Sequence, residues 1–156
     1  ANNLGIAGSP FDSYLALRGL RTLSLRMKQH EQNASALVEL LSNHPKISHV
    51  YYPGLKHHPS HEIAKKQQSG FGGMLSFEIK NGLSGVKNFI DNLNILSLAG
   101  SLGGFESLVG HPYTMTHAAL SGEQKKEIGI KENLIRISAG LEDTEDLLDA
   151  VKKALD

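Results

Sequence analysis

Cysteine and tryptophan are both absent from this chain of 156 residues. Without cysteine there can be no disulfide, no thiolate nucleophile and no zinc site with sulfur ligands. The absence of cysteine also suits a reducing compartment, so we expect a cytoplasmic location. Net charge is absent too, because sixteen basic residues balance sixteen acidic ones. A neutral chain creates no field that would attract it to nucleic acid or to an anionic membrane, and neither is predicted as a partner.

Long hydrophobic runs are missing as well. No stretch approaches the roughly 20 apolar residues that a membrane-spanning helix needs, and no basic-then-apolar leader opens the chain. The first residue is Ala1 rather than methionine, so we interpret the chain as a piece of a longer protein. Its composition, 40% hydrophobic and 21% charged, is that of an ordinary globular domain. The length suits a single domain with a sizeable core.

One long helix is predicted for the N-terminal part of the chain. Ser9 can cap it, Pro10 suits its first turn, and leucines recur at helical spacing until Pro45 ends the pattern. A regular helix of this length would measure roughly 50 Å. We therefore expect a bend near Gly19 or near residues 30–33.

Shorter strands and helices alternate beyond this helix. The period-two segments predict strands over residues 47–52, 73–80, 95–99, 106–109 and 134–139. Capping signals and apolar spacing predict helices that begin near His58, Ser84, Glu123 and Asp143. This order predicts an α+β fold with α/β-type layers, in which helices cover one face of a mostly antiparallel sheet. We divide the chain into a helix over residues 1–45 and a second segment over residues 46–156, which together form one structural unit.

Arg136 is the first candidate functional residue. Only four arginines occur, and the other three belong to the predicted N-terminal helix. Alternation along its strand places Arg136 on one face together with Leu134 and Ser138. A partly buried guanidinium needs a partner, because an unpaired buried charge costs several kcal/mol. That partner is a carboxylate either of a substrate or of the protein itself, for which Glu106 is the internal alternative.

A glycine-flanked serine loop over residues 100–104 is the second candidate. Glycine permits tight backbone geometry and exposes amide groups, so such a loop can hold an anion, and Ser101 adds a hydroxyl donor. An ordinary turn between two strands is the alternative interpretation. The spacing is not that of a dinucleotide-binding loop, and the similar glycines of residues 70–73 are interpreted as structural.

The histidines show no recognisable metal-binding or catalytic pattern. Neither the H-E-x-x-H motif nor a Cys-His spacing occurs, so no metal site is predicted. His57, His58 and His61 lie in a polar stretch and are interpreted as solvated surface residues. His111 and His117 follow the serine loop and are interpreted as residues that orient a turn.

The lysines are excluded as catalytic candidates. Schiff-base chemistry needs a lysine that is held neutral by desolvation or by a neighbouring charge. None of the twelve lysines lies in an apolar setting of that kind. Lys125, Lys126, Lys152 and Lys153 are placed on exposed helix faces.

Three ordered blocks of sequence resemble the transsulfuration enzymes that use pyridoxal 5'-phosphate (PLP), the cystathionine γ-synthase/γ-lyase family. They are SPFD at residues 9–12 with LRGLRTL at 17–23, SLGGFESL at 101–108 with HP and TMTH at 111–117, and LIRIS at 134–138 with GLED at 140–143. The resemblance extends over essentially the whole chain. It implies the C-terminal small domain of a fold-type I PLP enzyme.

By this resemblance the complete enzyme holds PLP on a lysine of a preceding domain. This chain would contain neither that Schiff-base lysine nor any cofactor-binding residue, and alone it should be inactive. Ser101, Leu102 and Arg136 would bind the substrate, with Arg136 paired to the α-carboxylate. The implied partners are an amino-acid substrate, the N-terminal PLP-binding domain and further copies of the enzyme in a homotetramer.

The implied activity acts on C–S bonds of amino acids of the cystathionine and homocysteine type, as a γ-lyase or a γ-synthase. Cystathionine β-lyase, methionine γ-lyase and a stand-alone amino-acid-binding module are the alternatives. One departure from the family concerns Gly100, where many members carry a glutamate. Loss of that carboxylate would weaken a preference for substrates with a distal ammonium group.

Overall fold

The computed structural model describes residue 5 and residues 8–156, so the start of the predicted 1–45 segment lies outside the described residues. Six helices and five strands follow one another in this part of the chain. They are α1 (Pro10–Leu20), α2 (Leu23–Ser42), β1 (Ile47–Tyr51), α3 (His61–Gln67), β2 (Met74–Ile79), α4 (Gly82–Asp91), β3 (Ser97–Leu98), β4 (Leu108–Gly110), α5 (Gly122–Glu127), β5 (Leu134–Ser138) and α6 (Thr144–Leu155).

The five strands form one sheet in the order β1-β2-β5-β4-β3. Neighbouring strands pair antiparallel, except β3 and β4, which run parallel. The predicted mostly antiparallel sheet is therefore confirmed. Residues 99–107 alone connect the parallel pair, although such crossovers usually need a dozen or more residues. The connection consequently contains no helix and forms an irregular loop at one end of the sheet.

The hydrophobic core lies between one face of the sheet and the helices α2, α4 and α6. Phe77 of β2 meets Phe89 of α4 edge to face, with ring centroids 5.5 Å apart, and both side chains are fully buried. From β5, Ile135 and Ile137 point into this core. Because side chains alternate along a strand, Arg136 between them lies on the opposite face. The predicted alternation of β5 and the helical layer on one face are both confirmed.

The predicted long N-terminal helix is two helices rather than one. α1 ends at Leu20 and α2 begins at Leu23. Arg26 reaches back across the break and donates a hydrogen bond of 2.8 Å to the carbonyl of Gly19. The break thus lies beside one of the two predicted bends, whereas residues 30–33 continue α2 without interruption.

No residue of α1 is buried. Its apolar side chains remain exposed, with 66% of Phe11 and 61% of Leu17 accessible to solvent. Within residue 5 and residues 8–156, no helix is both long enough and apolar enough to cross a lipid bilayer.

Several boundaries differ from the sequence prediction for local reasons. α4 begins after Asn81, whose φ of 75° is left-handed, and Ser84 lies inside the helix instead of capping it. The Ser84 hydroxyl donates to the Asn81 carbonyl at 2.8 Å. Asparagine tolerates this conformation better than most residues, so the turn and the helix start coincide. The strand predicted over residues 95–99 is reduced to the two residues of β3.

Candidate functional site

Arg136 lies at the centre of β5, on the sheet face opposite the helices. Its cross-strand partners are Ser76 of β2 and Gly110 of β4. The side chain is half-buried, and its Nη2 donates a hydrogen bond of 2.9 Å to the backbone carbonyl of Ser101. A Cβ added at Gly110 would lie 3.5 Å from Arg136 Nη2 and 3.1 Å from the Ala99 carbonyl. The guanidinium therefore rests directly against the backbone of β4.

No carboxylate is paired with Arg136 among the residues that the structure describes. The ion pairs there are His61–Glu62, Lys131–Glu78 and Lys152–Asp149. Glu106, the internal alternative raised by the sequence, is exposed and forms no ion pair with the arginine. A guanidinium carries five N–H donors, so a half-buried fork with one bond to a carbonyl can still bind an anion.

The glycine-flanked loop connects β3 to β4 and lies beside Arg136. Ser101 and Leu102 are exposed at its tip, and Gly103 has a φ of 77°, a left-handed conformation that favours glycine. The Gly103 amide donates a hydrogen bond of 2.9 Å to Ser138 Oγ. Arg136 and Ser138, two residues apart on one face of β5, thus each bind the loop backbone. The structure brings the predicted site residues Ser101 and Arg136 together, and their role in binding stays a prediction.

The second half of the loop is held by the segment after β5. The Leu141 amide donates to the carbonyl of Phe105 at 2.8 Å. The Glu142 carboxylate accepts from both the amide and the hydroxyl of Ser107, at 2.6 and 2.7 Å. Ser107 is fully buried, and its Oγ also accepts from the Gly140 amide at 2.8 Å. Sequence reasoning did not identify Glu142 as part of the site, because no local pattern reveals a contact across 35 residues.

Helix α2 supports this segment in turn. His30 Nδ1 lies 2.7 Å from the carbonyl of Ala139, to which it must donate. Asn33 Nδ2 donates to the carbonyls of Gly140 and Glu142 at 3.0 and 2.9 Å. Both side chains are buried, and buried polar groups of this kind fix a segment because breaking their bonds leaves them unsatisfied. The loop is therefore connected to the helical layer through residues 139–142.

His111 is buried and orients a turn, as the sequence predicted. Its Nε2 lies 2.8 Å from the carbonyl of Glu132, and its Nδ1 lies 2.7 Å from Thr114 Oγ1. A carbonyl can only accept, so the neutral tautomer with the proton on Nε2 satisfies both contacts, with the Thr114 hydroxyl donating to Nδ1. This arrangement closes the turn beside Arg136, where His111, Pro112 and Met115 line a narrow gap with no room for a water molecule.

Two polar side chains are more buried than predicted. His61, interpreted as solvated, lies 2.8 Å from the Pro53 carbonyl and stacks on Phe71 with ring centroids 5.5 Å apart. Lys125, placed on an exposed helix face, retains only 8% exposure, and its Nζ lies 4.3 Å from the centre of the Tyr113 ring. Both predictions were wrong because an aromatic neighbour distant in sequence provides a favourable surface for a cation or an imidazole.

A buried carboxylate, Glu78, lies on the same sheet face as Arg136 but has its own partners. Lys131 Nζ lies 2.8 Å from Glu78 Oε1, and the Tyr51 hydroxyl donates to the same oxygen. Burial raises the pKa of Glu78, but the hydrogen bonds from Lys131 and Tyr51 lower it more, so the net pKa lies below the ordinary value. Burial and the contact with Glu78 raise the pKa of Tyr51 to about 12. Glu78 is thus a charged acid engaged within this cluster rather than a partner for Arg136.

The lysines of the chain do not fit the covalent attachment of PLP. Eleven of the twelve are exposed, and Lys125 is the buried exception described above. A Schiff-base lysine needs a desolvated setting, which the eleven exposed side chains lack, and the Lys125 ammonium is held over the Tyr113 ring. In residue 5 and residues 8–156 there is also no cluster of three histidine, cysteine, aspartate or glutamate side chains suited to a metal ion.

Comparison with known proteins gives a match along the full sequence. The sequence model of the Cys/Met metabolism PLP-dependent enzymes matches residues 1–156. A cystathionine gamma-lyase of Dictyostelium discoideum is 48% identical over 155 residues, which are 99% of this chain and 40% of that protein. A cystathionine beta-lyase of Lactococcus lactis subsp. cremoris is 52% identical over the same shares of both chains. A cystathionine gamma-synthase of Escherichia coli is 49% identical over 95% of this chain and 38% of its own length.

Solved structures show the same fold. A cystathionine gamma synthase from Xanthomonas oryzae pv. oryzae, crystallised in complex with cystathionine, superposes with a TM-score of 0.91 at 50% identity. The match covers 99% of this chain and 40% of that one. The chain thus spans about 40% of the length of the relatives it matches.

Proposed function

We propose, since this chain belongs to the PLP-dependent enzymes of Cys/Met metabolism, that it forms the substrate-carboxylate-binding part of an enzyme acting on C–S bonds of amino acids. The supporting observation is Arg136, a half-buried guanidinium without an acidic partner among the described residues. It lies next to the exposed Ser101, whose backbone carbonyl accepts a hydrogen bond of 2.9 Å from it. The whole enzyme would act on substrates of the cystathionine and homocysteine type.

The role of this chain in that reaction is to orient the substrate. PLP, when bound, supplies an electron sink for the α-carbon of an amino acid. The residues that hold it would belong to another part of the longer enzyme, because the lysines of this chain do not fit. Arg136 would bind the α-carboxylate through charge-assisted hydrogen bonds worth on the order of 1.5–3 kcal/mol. A fixed carboxylate sets the orientation of the bonds at the α-carbon.

The bond from Arg136 Nη2 to the Ser101 carbonyl supports this role. It holds the plane of the guanidinium and, at the same time, the tip of the loop. The Ser101 hydroxyl, which is exposed, would then donate a second hydrogen bond to the bound carboxylate. Leu102, with 54% of its side chain exposed, would contact the apolar part of the substrate.

The apolar surface of α1 supports a second part of the proposal. Exposed apolar patches of this kind mark interaction surfaces, and Phe11 and Leu17 are among its most exposed side chains. We assign this surface to contact with the PLP-binding part of the same enzyme, for which residues 1–45 would form the connection. The exposed apolar surface of α1 does not favour the alternative of a stand-alone amino-acid-binding module. The proposed homotetramer follows from the family resemblance, and the proposed cytoplasmic location follows from the cysteine-free composition.

We propose that the complete enzyme acts on a C–S bond, as a lyase or as a synthase. The relatives include gamma-lyase, beta-lyase, gamma-synthase and an L-methionine gamma-lyase. At Gly100, an added Cβ would meet only Thr116 Cγ2, at 3.8 Å, so packing does not demand glycine there. We infer that this position is open to a specificity-determining side chain, and that glycine there weakens selection for a distal ammonium group.

The function is tested by comparing the isolated chain with the longer enzyme that carries it. Loaded with PLP, the longer enzyme should release a thiol from an amino acid of the cystathionine type. The isolated chain mixed with PLP should show neither turnover nor the absorbance of lysine-linked cofactor, because eleven of its lysines are exposed and the buried Lys125 lies over the Tyr113 ring. Lysine-linked absorbance in the isolated chain, or no C–S cleavage or formation by the longer enzyme, would contradict the proposal.

A further inference from the structure

We propose that Glu142 is a positioning residue for the Arg136 site. By holding Ser107, it fixes the loop over residues 101–107 against β5 and thereby sets the spacing between Ser101 and the guanidinium. This inference deepens the proposed function and rests on it. Glu142 does not contact the substrate in this account and acts through the loop.

The loop and the segment from Arg136 to Glu142 run side by side in the same direction. Four points of contact join them at intervals of about two residues. They are the bonds Arg136–Ser101, Ser138–Gly103, Leu141–Phe105 and Glu142–Ser107. An irregular loop has no ladder of its own, so these external bonds determine its path.

Among the four contacts, the one between Glu142 and Ser107 has two hydrogen bonds instead of one. The two carboxylate oxygens of Glu142 each accept one hydrogen bond from Ser107, and bonds to an ionised acceptor are roughly twice as strong as neutral ones. Ser107 has no exposed surface, so its hydroxyl and amide have no access to water as an alternative partner. Glu142 belongs to none of the ion pairs among the described residues, so its negative charge acts on the hydrogen bonds from Ser107.

The backbone of Glu142 is fixed from the other side. Asn33 of α2 donates to its carbonyl at 2.9 Å, and the Asn33 amide oxygen accepts from Thr144 Oγ1 at 2.7 Å. A continuous set of bonds thus runs from the helical layer through Glu142 and Ser107 to the loop. Its far end is the bond between Arg136 and the Ser101 carbonyl.

The experiment uses Glu142→Gln in the longer enzyme. Glutamine keeps the shape but replaces one acceptor oxygen with an NH₂ group that faces a Ser107 donor. We expect KM for the amino-acid substrate to rise about tenfold with kcat nearly unchanged, since substrate binding is weakened. The preference for the substrate over its α-carboxamide should fall by a similar factor. A merely structural defect would affect both substrates equally and leave that preference unchanged.

Glu145→Gln is the matched control, because Glu145 is an exposed glutamate three residues further along the chain. It should leave both KM and the acid-over-amide preference unchanged. If Glu142→Gln does not fold, Ser107→Ala replaces it. This variant removes the hydroxyl but keeps the amide, and it should lower the preference about fivefold, the effect of one hydrogen bond.

The outcomes separate this inference from the proposed function. If Arg136→Lys lowers the acid-over-amide preference while Glu142→Gln and Ser107→Ala leave it intact, the positioning role is wrong and the proposed function stands. If Arg136→Lys leaves the preference intact as well, the proposed function itself is wrong. A fall in all three variants, with Glu145→Gln unaffected, supports both.

Discussion

Arg136→Lys in the longer enzyme should lower kcat/KM for the amino-acid substrate by roughly 10- to 160-fold, the kinetic equivalent of 1.5–3 kcal/mol. The guanidinium donates to the Ser101 carbonyl and still offers N–H groups to a carboxylate. Lysine presents one ammonium on a flexible stem and cannot reproduce the planar fork that does both. Steady-state kinetics over a range of substrate concentrations measures the loss, which should appear mainly in KM.

Two comparisons make this result specific. Lys153→Arg makes the reverse exchange at an exposed position of α6 and should leave the kinetics unaltered. Ser101→Ala should cost about 1 kcal/mol, the value of one hydrogen bond. Kinetics of Arg136→Lys that match those of the unaltered enzyme would remove this arginine from the site.

Gly140→Ala should cause the largest loss of stability. An added Cβ would lie 2.4 Å from the Ser107 amide nitrogen, 2.5 Å from the Glu106 carbonyl carbon and 2.5 Å from Glu142 Oε2. Two of these atoms belong to the backbone and cannot rotate away, so the loop must shift. We expect the free energy of unfolding to fall by about 1–3 kcal/mol, the usual cost of overpacking. Urea denaturation of the variant and the unaltered protein measures this difference.

Gly122→Ala provides the control for that change. An added Cβ at Gly122 meets nothing within 4 Å, and the residue begins α5. Alanine there should leave stability unchanged or raise it by up to about 1 kcal/mol. Equal stability of Gly140→Ala and the unaltered protein would show that the loop does not pack against residues 140–142 as described.

The place of Arg136 in the fold could be predicted because the relevant pattern is local. Alternation over the residues of β5 is enough to put its side chain on one face and two isoleucines on the other. The neighbouring loop was identified from its glycines, and the family resemblance connected it with the arginine. Neither pattern predicts which atoms are in contact, so the hydrogen bond between the guanidinium and the Ser101 carbonyl is seen only in the structure.

The contacts that hold the loop could not be predicted, because they join residues that are far apart in the sequence. Glu142 and Ser107 are 35 residues apart, and nothing in either segment distinguishes a bound carboxylate from a solvated one. The same limit explains Lys125, whose burial depends on the ring of Tyr113. The break between α1 and α2 was expected only in outline, since helical spacing continues through it and does not predict the bond from Arg26 to the Gly19 carbonyl.

A crystal structure of the longer enzyme with a bound amino-acid substrate analogue tests the central claim most directly. We predict that the α-carboxylate lies about 2.7–2.9 Å from nitrogens of the Arg136 guanidinium, with the bond to the Ser101 carbonyl preserved. A carboxylate bound by other residues, with Arg136 contacting only the protein, would contradict it.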